Sequence, residues 1–364
     1  MSSAPEDRRW HWSKRSRALV YSAITLIALV TVAFLLPVPF VKLSPGPTFD
    51  VIGAQKGSPV IVIDGTTTYP TTGKLFMTTV LESGGPRGGL TFVDALTSWF
   101  NPADAVLPRE LLYPDDMDRD TVQAQQAAMF SSAESDAIGA AMKYLKKPVS
   151  AETIVNTVYN DSPADGILEP GDHIRSVNGT EITAPEQVKT LVQGAPVGTA
   201  FTFQIDRVVG GARMPLKEVV TSKASPADPA RPYLGIGVGT RYEPDFGIDF
   251  TLKDVGGPSA GLMFSLGLVD KLSPDDLAKG RTIAGTGTIT ADGEVGPIGG
   301  IRQKLVGARD AGAELFLAPA KHCAEMAGHV PDGLTVTPVR TLAEAVSAVS
   351  TWTSGGTPPA CPAS

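Results

Sequence analysis

Two short stretches hold the residue types that hydrolytic chemistry needs. In Gly256-Gly257-Pro258-Ser259-Ala260-Gly261 a serine stands just before an apolar run, Leu262 to Val269. Proline suits a first helical turn, and the glycines allow a tight bend ahead of it. The spacing therefore predicts Ser259 at a helix N-terminus, where unpaired N–H groups and the helix dipole favour negative charge. Acyl transfer needs such donors for its oxyanion. Gly257 and Ala260, close to Ser259 in the chain, are the supporting candidates. A serine also needs a base to become a nucleophile. Gly299-Gly300 opens a predicted helix, Ile301 to Ala311, closed by Gly312. On it Lys304 falls three residues after Ile301 and four before Ala308, on the inward side, where lysine is unusual. Burial lowers a lysine pKa and makes it a general base. The alternative is a lysine whose stem covers apolar surface while its head reaches water. Spacing alone leaves both open.

These residues must be carried by a scaffold. Phe250 to Val255 reads as a strand leading into the serine turn. Ser273-Pro274-Asp275-Asp276 has the pattern of a capped short helix. Ile283 to Thr290 alternates as one strand, with a hairpin turn at Ala291 to Glu294. Further back, Val60 to Ile63 and Lys74 to Leu81 read as strands, with a Gly-rich loop over Glu82 to Gly89. From 119 to 145, apolar residues such as Met129, Phe130, Ala137, Ile138 and Met142 recur at helical spacing. That predicts a long amphipathic packing helix with no chemistry of its own.

Residues 149–222 read as a separate small domain. Thr153 to Val158 is a strand, and Ser162-Pro163-Ala164 suits a helix start. Gly171-Asp172 is a turn, Ile174 to Val177 a strand and Asn178-Gly179 a hairpin-type turn. Pro185 to Gln193 reads as a helix; Phe201 to Val208 and Met214 to Val220 form a hairpin around Gly210-Gly211. Residues 223–232 read as a linker. The run from Ser162-Pro163-Ala164 through Gly171-Asp172 to Val177-Asn178-Gly179 resembles the PDZ domain attached to bacterial proteases. Such domains bind an extended peptide by adding it to a sheet edge beside a helix. The analogy puts the groove between the Thr153 strand and the Pro185 helix, serving either a peptide tail or only the spacing or gating of a neighbour.

The two chemistry-bearing stretches, Lys253 to Gly261 and Pro297 to Ala313, resemble the signature segments of the Lon-type serine peptidase domain. With the PDZ-like run and the N-terminal features below, the chain is similar to membrane-anchored PDZ–Lon-like proteases of Gram-positive bacteria. The resemblance implies a Ser–Lys dyad, Ser259 as nucleophile and Lys304 as general base, with Thr286 hydrogen-bonding the lysine. One departure stands out: Val255 and an extra Gly256 intervene between Asp254 and the serine turn, which puts any role of Asp254 in doubt. Lon domains form rings, so by analogy alone a homo-oligomer is expected. Full Lon enzymes also carry an ATPase. This sequence has no G-x-x-x-x-G-K-[ST] loop, its one Gly-Lys pair being Gly73-Lys74 before Leu75. No ATP use, cofactor or metal is expected, and flexible tails, loops or short peptides are the expected substrates.

Ala18 to Leu36 holds 19 residues without a charge, about 28 Å as a helix, enough to cross a bilayer core. Residues 1–17 carry five basic side chains against two acidic, a local +3 that leaves −10 of the net −7 to the rest. The positive-inside rule then places 1–17 in the cytoplasm and the body outside. A body at −10 argues against nucleic acid as a partner. Cys323 and Cys361 either form a disulfide in that compartment, or leave a free thiol near the C-terminus. The expected organisation, a multidomain α/β (α+β) chain, has a basic tail over 1–17 and a signal anchor over 18–40. A strand-rich region with the long helix covers 41–148, a PDZ domain 149–222, a Lon-like domain 233–350 and a disordered tail 351–364. Two other readings compete. One is a membrane-tethered PDZ adaptor without catalysis. The other is an α/β-hydrolase esterase using the G-x-S-x-G at Ser259 with Asp310 and His322 or His329.

Overall fold

The computed structural model describes residues 13–85, 89–113, 119–226, 228–253 and 255–362. Arg8, Arg9 and Asp254 lie outside these residues. The chain divides into two units, 1–43 with 82–115, and 44–81 with 116–364.

In the first unit the uncharged run forms a helix, Lys14–Leu35, that buries none of its residues. Ser13 caps it, accepting from Ser16 N–H at 3.1 Å. At 22 residues it is about 33 Å long, matching a bilayer core. Pro37–Val38 then pairs antiparallel with Leu90–Thr91, which leads into a helix, Phe92–Trp99. Ala105–Pro108 pairs with Phe40 to Leu43.

In the second unit a sheet runs in the order Thr335–Val339, Leu315–Pro319, Thr282–Gly285, Lys74–Ser83, Phe40–Asp50. Its first four strands are parallel. Residues 44–81, part of the strand-rich region expected over 41–148, therefore share a sheet with the serine- and lysine-bearing domain. The helix Gly261–Leu272 is buried at every position but Lys271, as expected of a helix apolar nearly all round. Phe264 packs against Phe130 edge-on at 5.7 Å and against Phe250 at 4.6 Å. Through Phe130, Ala137, Ile138, Ala141 and Met142, the long helix Arg119–Tyr144 joins this core.

The PDZ-like part is a sheet ordered Ala212–Thr221, Ala200–Val209, His173–Val177, Ser150–Val158, Ile236–Glu243, with the helix Pro185–Gln193. Its last strand lies beyond the linker and inside the segment expected to begin the protease domain. The sheet thus recruits residues past the expected boundary at 222. The edge beside Thr153 is consequently filled, and the outer strand of the sheet is Ile236–Glu243.

Local expectations differ in five further places. The strand expected over Phe250 to Val255 is instead Gly247–Phe250, and residues 251–253 follow it without regular structure. Ser273 to Asp276 is not helical: the Asp276 carboxylate accepts from Lys279 N–H (3.1 Å) and Thr72 N–H (3.3 Å), and Leu277 N–H donates to Asp270 (2.6 Å). Ser162 to Ala164 forms turns, because Ala164 N–H is drawn to Leu234 C=O at 3.0 Å. The strand expected over 283–290 breaks into Thr282–Gly285 and Thr288–Ile289. The stretch expected to be a free tail begins inside the helix Leu342–Thr353, and Cys361 is disulfide-bonded to Cys323. Closing a loop of 38 residues is worth about 4 kcal/mol on chain-entropy grounds. Cys323→Ser with Cys361→Ser is expected to lower the thermal midpoint of the full chain. Dithiothreitol should reproduce the effect in the parent and leave the double variant unmoved.

Candidate functional site

The serine turn is held from both sides. Gly257 adopts φ +81°, a conformation that side chains resist, and its N–H donates to Gln126 C=O on the long helix at 3.1 Å. Pro258 and Ser259 follow, and Ala260 precedes the helix Gly261–Leu272. The Ser259 carbonyl accepts from Gly287 N–H (3.0 Å) and from Thr286 Oγ1–H (3.1 Å). These bonds exist because the chain leaves the sheet at Thr286, whose own N–H still donates to Leu317 C=O (3.1 Å). The break in the expected strand is what brings Thr286 to the serine.

The lysine arrives from the opposite side. Gly300 caps the helix Ile301–Asp310 at φ +67°, where a Cβ would come within 2.7 Å of Val80 Cγ2. The first turn of that helix points Lys304 inward, among buried Ile301, Leu305 and Ala308. Lys304 is 2% exposed, so the reading in which its head reaches water is excluded. Its Nζ lies 2.6 Å from Ser259 Oγ and donates to Thr286 Oγ1 at 2.9 Å. Burial brings its pKa down to about 7, because a charged ammonium there loses its hydration.

The three groups form a directed chain. The Thr286 hydroxyl proton is committed to the Ser259 carbonyl, so its oxygen accepts from the lysine. One N–H of the amine is thereby fixed on Thr286, and the same amine is held against Ser259 Oγ. Of the supporting candidates, Gly257 has its N–H engaged by Gln126 and is no free oxyanion donor. The Ala260 N–H has no acceptor among the described residues. Gln126 was not visible in the sequence as part of this site, since the 119–145 pattern announces only packing.

The histidines stand apart. His322 Nε2 accepts from Ile298 N–H at 3.0 Å, its Nδ1 faces Glu325 at 2.9 Å, and Asp310 and His329 are exposed. The triad of the esterase reading is therefore not assembled. Glu152, His173 and Glu243 converge at one end of the PDZ-like sheet. Arg213 bridges both carboxylates, at 2.8 Å and 2.5 Å, and supplies the cation itself.

Residues 251–351 match the Lon protease (S16) C-terminal proteolytic domain, and residues 154–207 match the PDZ domain. Lon protease 2 of Herpetosiphon aurantiacus is 31% identical over 159 residues, 42% of this chain and 17% of that protein. The mitochondrial Lon protease homolog of Debaryomyces hansenii is 38% identical over 86 residues, 23% of this chain and 8% of that one. The chain thus spans less than a fifth of these curated relatives' length. The PDZ domain of an SdrC-like protein from Listeria innocua superposes with a TM-score of 0.20 at 22% identity, covering 24% of this chain and 92% of that one. The chain joins a PDZ domain to a Lon protease (S16) C-terminal proteolytic domain.

Proposed function

We propose that the protein is a membrane-anchored serine endopeptidase that cuts extracytoplasmic proteins or peptides. The observation that carries this is the 2.6 Å contact between Ser259 Oγ and the amine of a buried lysine poised near neutrality. Neutral Lys304 takes the Ser259 proton as Oγ attacks a peptide carbonyl. The Ala260 N–H, at the start of a buried helix, stabilises the oxyanion. Protonated Lys304 gives its proton to the leaving amine, and the C–N bond breaks. A water then loses its proton to the lysine and hydrolyses the acyl ester, which restores Ser259.

Lys14–Leu35 serves as the anchor, with the basic N-terminal residues in the cytoplasm. The Cys323–Cys361 disulfide supports a body on the oxidising side. The PDZ domain recruits or gates substrate, such as an extended peptide tail. A homo-oligomer, as in Lon rings, is part of the same reading.

The test uses the full chain in detergent, casein as substrate and no ATP. Wild type and His322→Ala should cleave; Ser259→Ala should fall by at least about a thousandfold. A fluorophosphonate should label wild type and not Ser259→Ala. Cleavage that survives Ser259→Ala would sink the proposal, and a wild type that neither cleaves nor labels would favour the adaptor reading.

A further inference from the structure

The helix Phe92–Trp99 has its apolar face turned outward. Its buried positions are Ala95 and Ser98. Phe92 and Leu96 are exposed, as are Trp99 at 73% and the following Phe100 at 80%. Phe92, Leu96 and Trp99 are four and then three residues apart, so they form one stripe. A helix on a water-facing surface does the reverse, burying its apolar stripe. A contiguous exposed patch of this kind marks a contact surface.

Where the helix begins decides what covers it. Phe92 N–H donates to the carbonyl of Leu36, the residue that ends the anchor helix, at 3.3 Å. Pro37 stands opposite Thr91 in the short strand pair that follows the anchor. The Phe34 ring meets the Phe92 ring edge-on at 6.0 Å. The stripe is therefore continuous with the exposed apolar surface of Lys14–Leu35, and it starts where that helix leaves the hydrocarbon. The one charged residue from 92 to 100 is Asp94, whose carboxylate accepts from the capping Thr91 hydroxyl at 2.7 Å. Tryptophan next to the end of a spanning helix suits the aromatic belt of a bilayer, and phenylalanine and leucine suit the buried face of an interfacial helix.

We propose that Phe92–Phe100 lies in the membrane interface, as a second lipid contact beside the anchor. The occupant of the stripe is the boundary between headgroups and acyl chains. This rests on the anchor reading of Lys14–Leu35. A single spanning helix is free to rotate and tilt, and the second contact fixes the orientation of the segment that follows it.

The test keeps Trp99 as the sole tryptophan of the full chain, with Trp10, Trp12 and Trp352 changed to phenylalanine, in phosphatidylcholine nanodiscs. Lipid brominated just below the glycerol should quench Trp99 by about twofold, and aqueous iodide should quench it weakly. A spin label on Leu96→Cys should collide with oxygen more often than with a water-soluble nickel complex. Failure of the chain to enter nanodiscs removes the anchor reading and this proposal with it. Entry with Trp99 open to iodide and untouched by bromine overturns this proposal alone. So does a Trp99 shielded from both quenchers, which reports burial against protein, such as a second copy.

Discussion

Lys304→Met is expected to abolish peptide hydrolysis, by at least about a thousandfold, and at the same time to make the fold more stable. Without the amine no other base among the described residues is in hydrogen-bond contact with Ser259 Oγ: His322 is engaged by Ile298 N–H, and Thr286 is itself a hydroxyl. The stability follows from the pKa. In the unfolded chain a lysine holds its proton to about 10.4; in the fold Lys304 releases it near 7. Between those values the unfolded chain binds more protons, so the native state gains stability as pH rises from about 7 to about 10. Below 7 the cost of burying the charge is present in full, on the order of 5 kcal/mol. Methionine of similar length removes that cost and gives up the bond to Thr286, worth about 1 kcal/mol. The thermal midpoint of Lys304→Met should exceed that of the parent at pH 6, and the gain should vanish near pH 10. An unchanged midpoint at pH 6 would mean that the lysine head is hydrated. The same pKa predicts that kcat/KM of the parent rises with pH through a midpoint near 7, as the amine becomes neutral.

Thr286→Val should lower kcat by about a hundredfold and move that midpoint as well. The threonine oxygen accepts from the lysine and its proton goes to the Ser259 carbonyl. Valine preserves the volume but removes both bonds. The amine then turns freely and is no longer held against Ser259 Oγ. Loss of an acceptor also disfavours the ammonium, so the midpoint should fall by about half a unit. Thr286→Ser should restore both values. A lowered plateau with an unmoved midpoint would mean that Thr286 only packs the strand end, and would remove it from the proton path.

The sequence alone was enough to locate the serine turn, the Lys304 helix, the PDZ-like run and the uncharged N-terminal stretch. Each is a local signal: glycine and proline at a bend, apolar periodicity of one helix, a run long enough for a bilayer. Helix boundaries such as Pro185–Gln193 followed from capping and proline rules that act within a few residues. Three features needed the assembled fold. One is the break after Gly285, which sequence alternation reads as continuous strand. Competition between Leu317 and Ser259 for neighbouring N–H groups ends the strand there, across separations no local pattern records. Another is Ile236–Glu243, which joins the PDZ-like sheet because Ser150–Val158 has an open edge, a fact of topology and not of composition. The last is the state of Lys304. Spacing put it on the inward side but left water within reach of its head. Only the closure of the Lys304 helix and the Gly261–Leu272 helix against one sheet removes that water and brings the amine's pKa down to about 7.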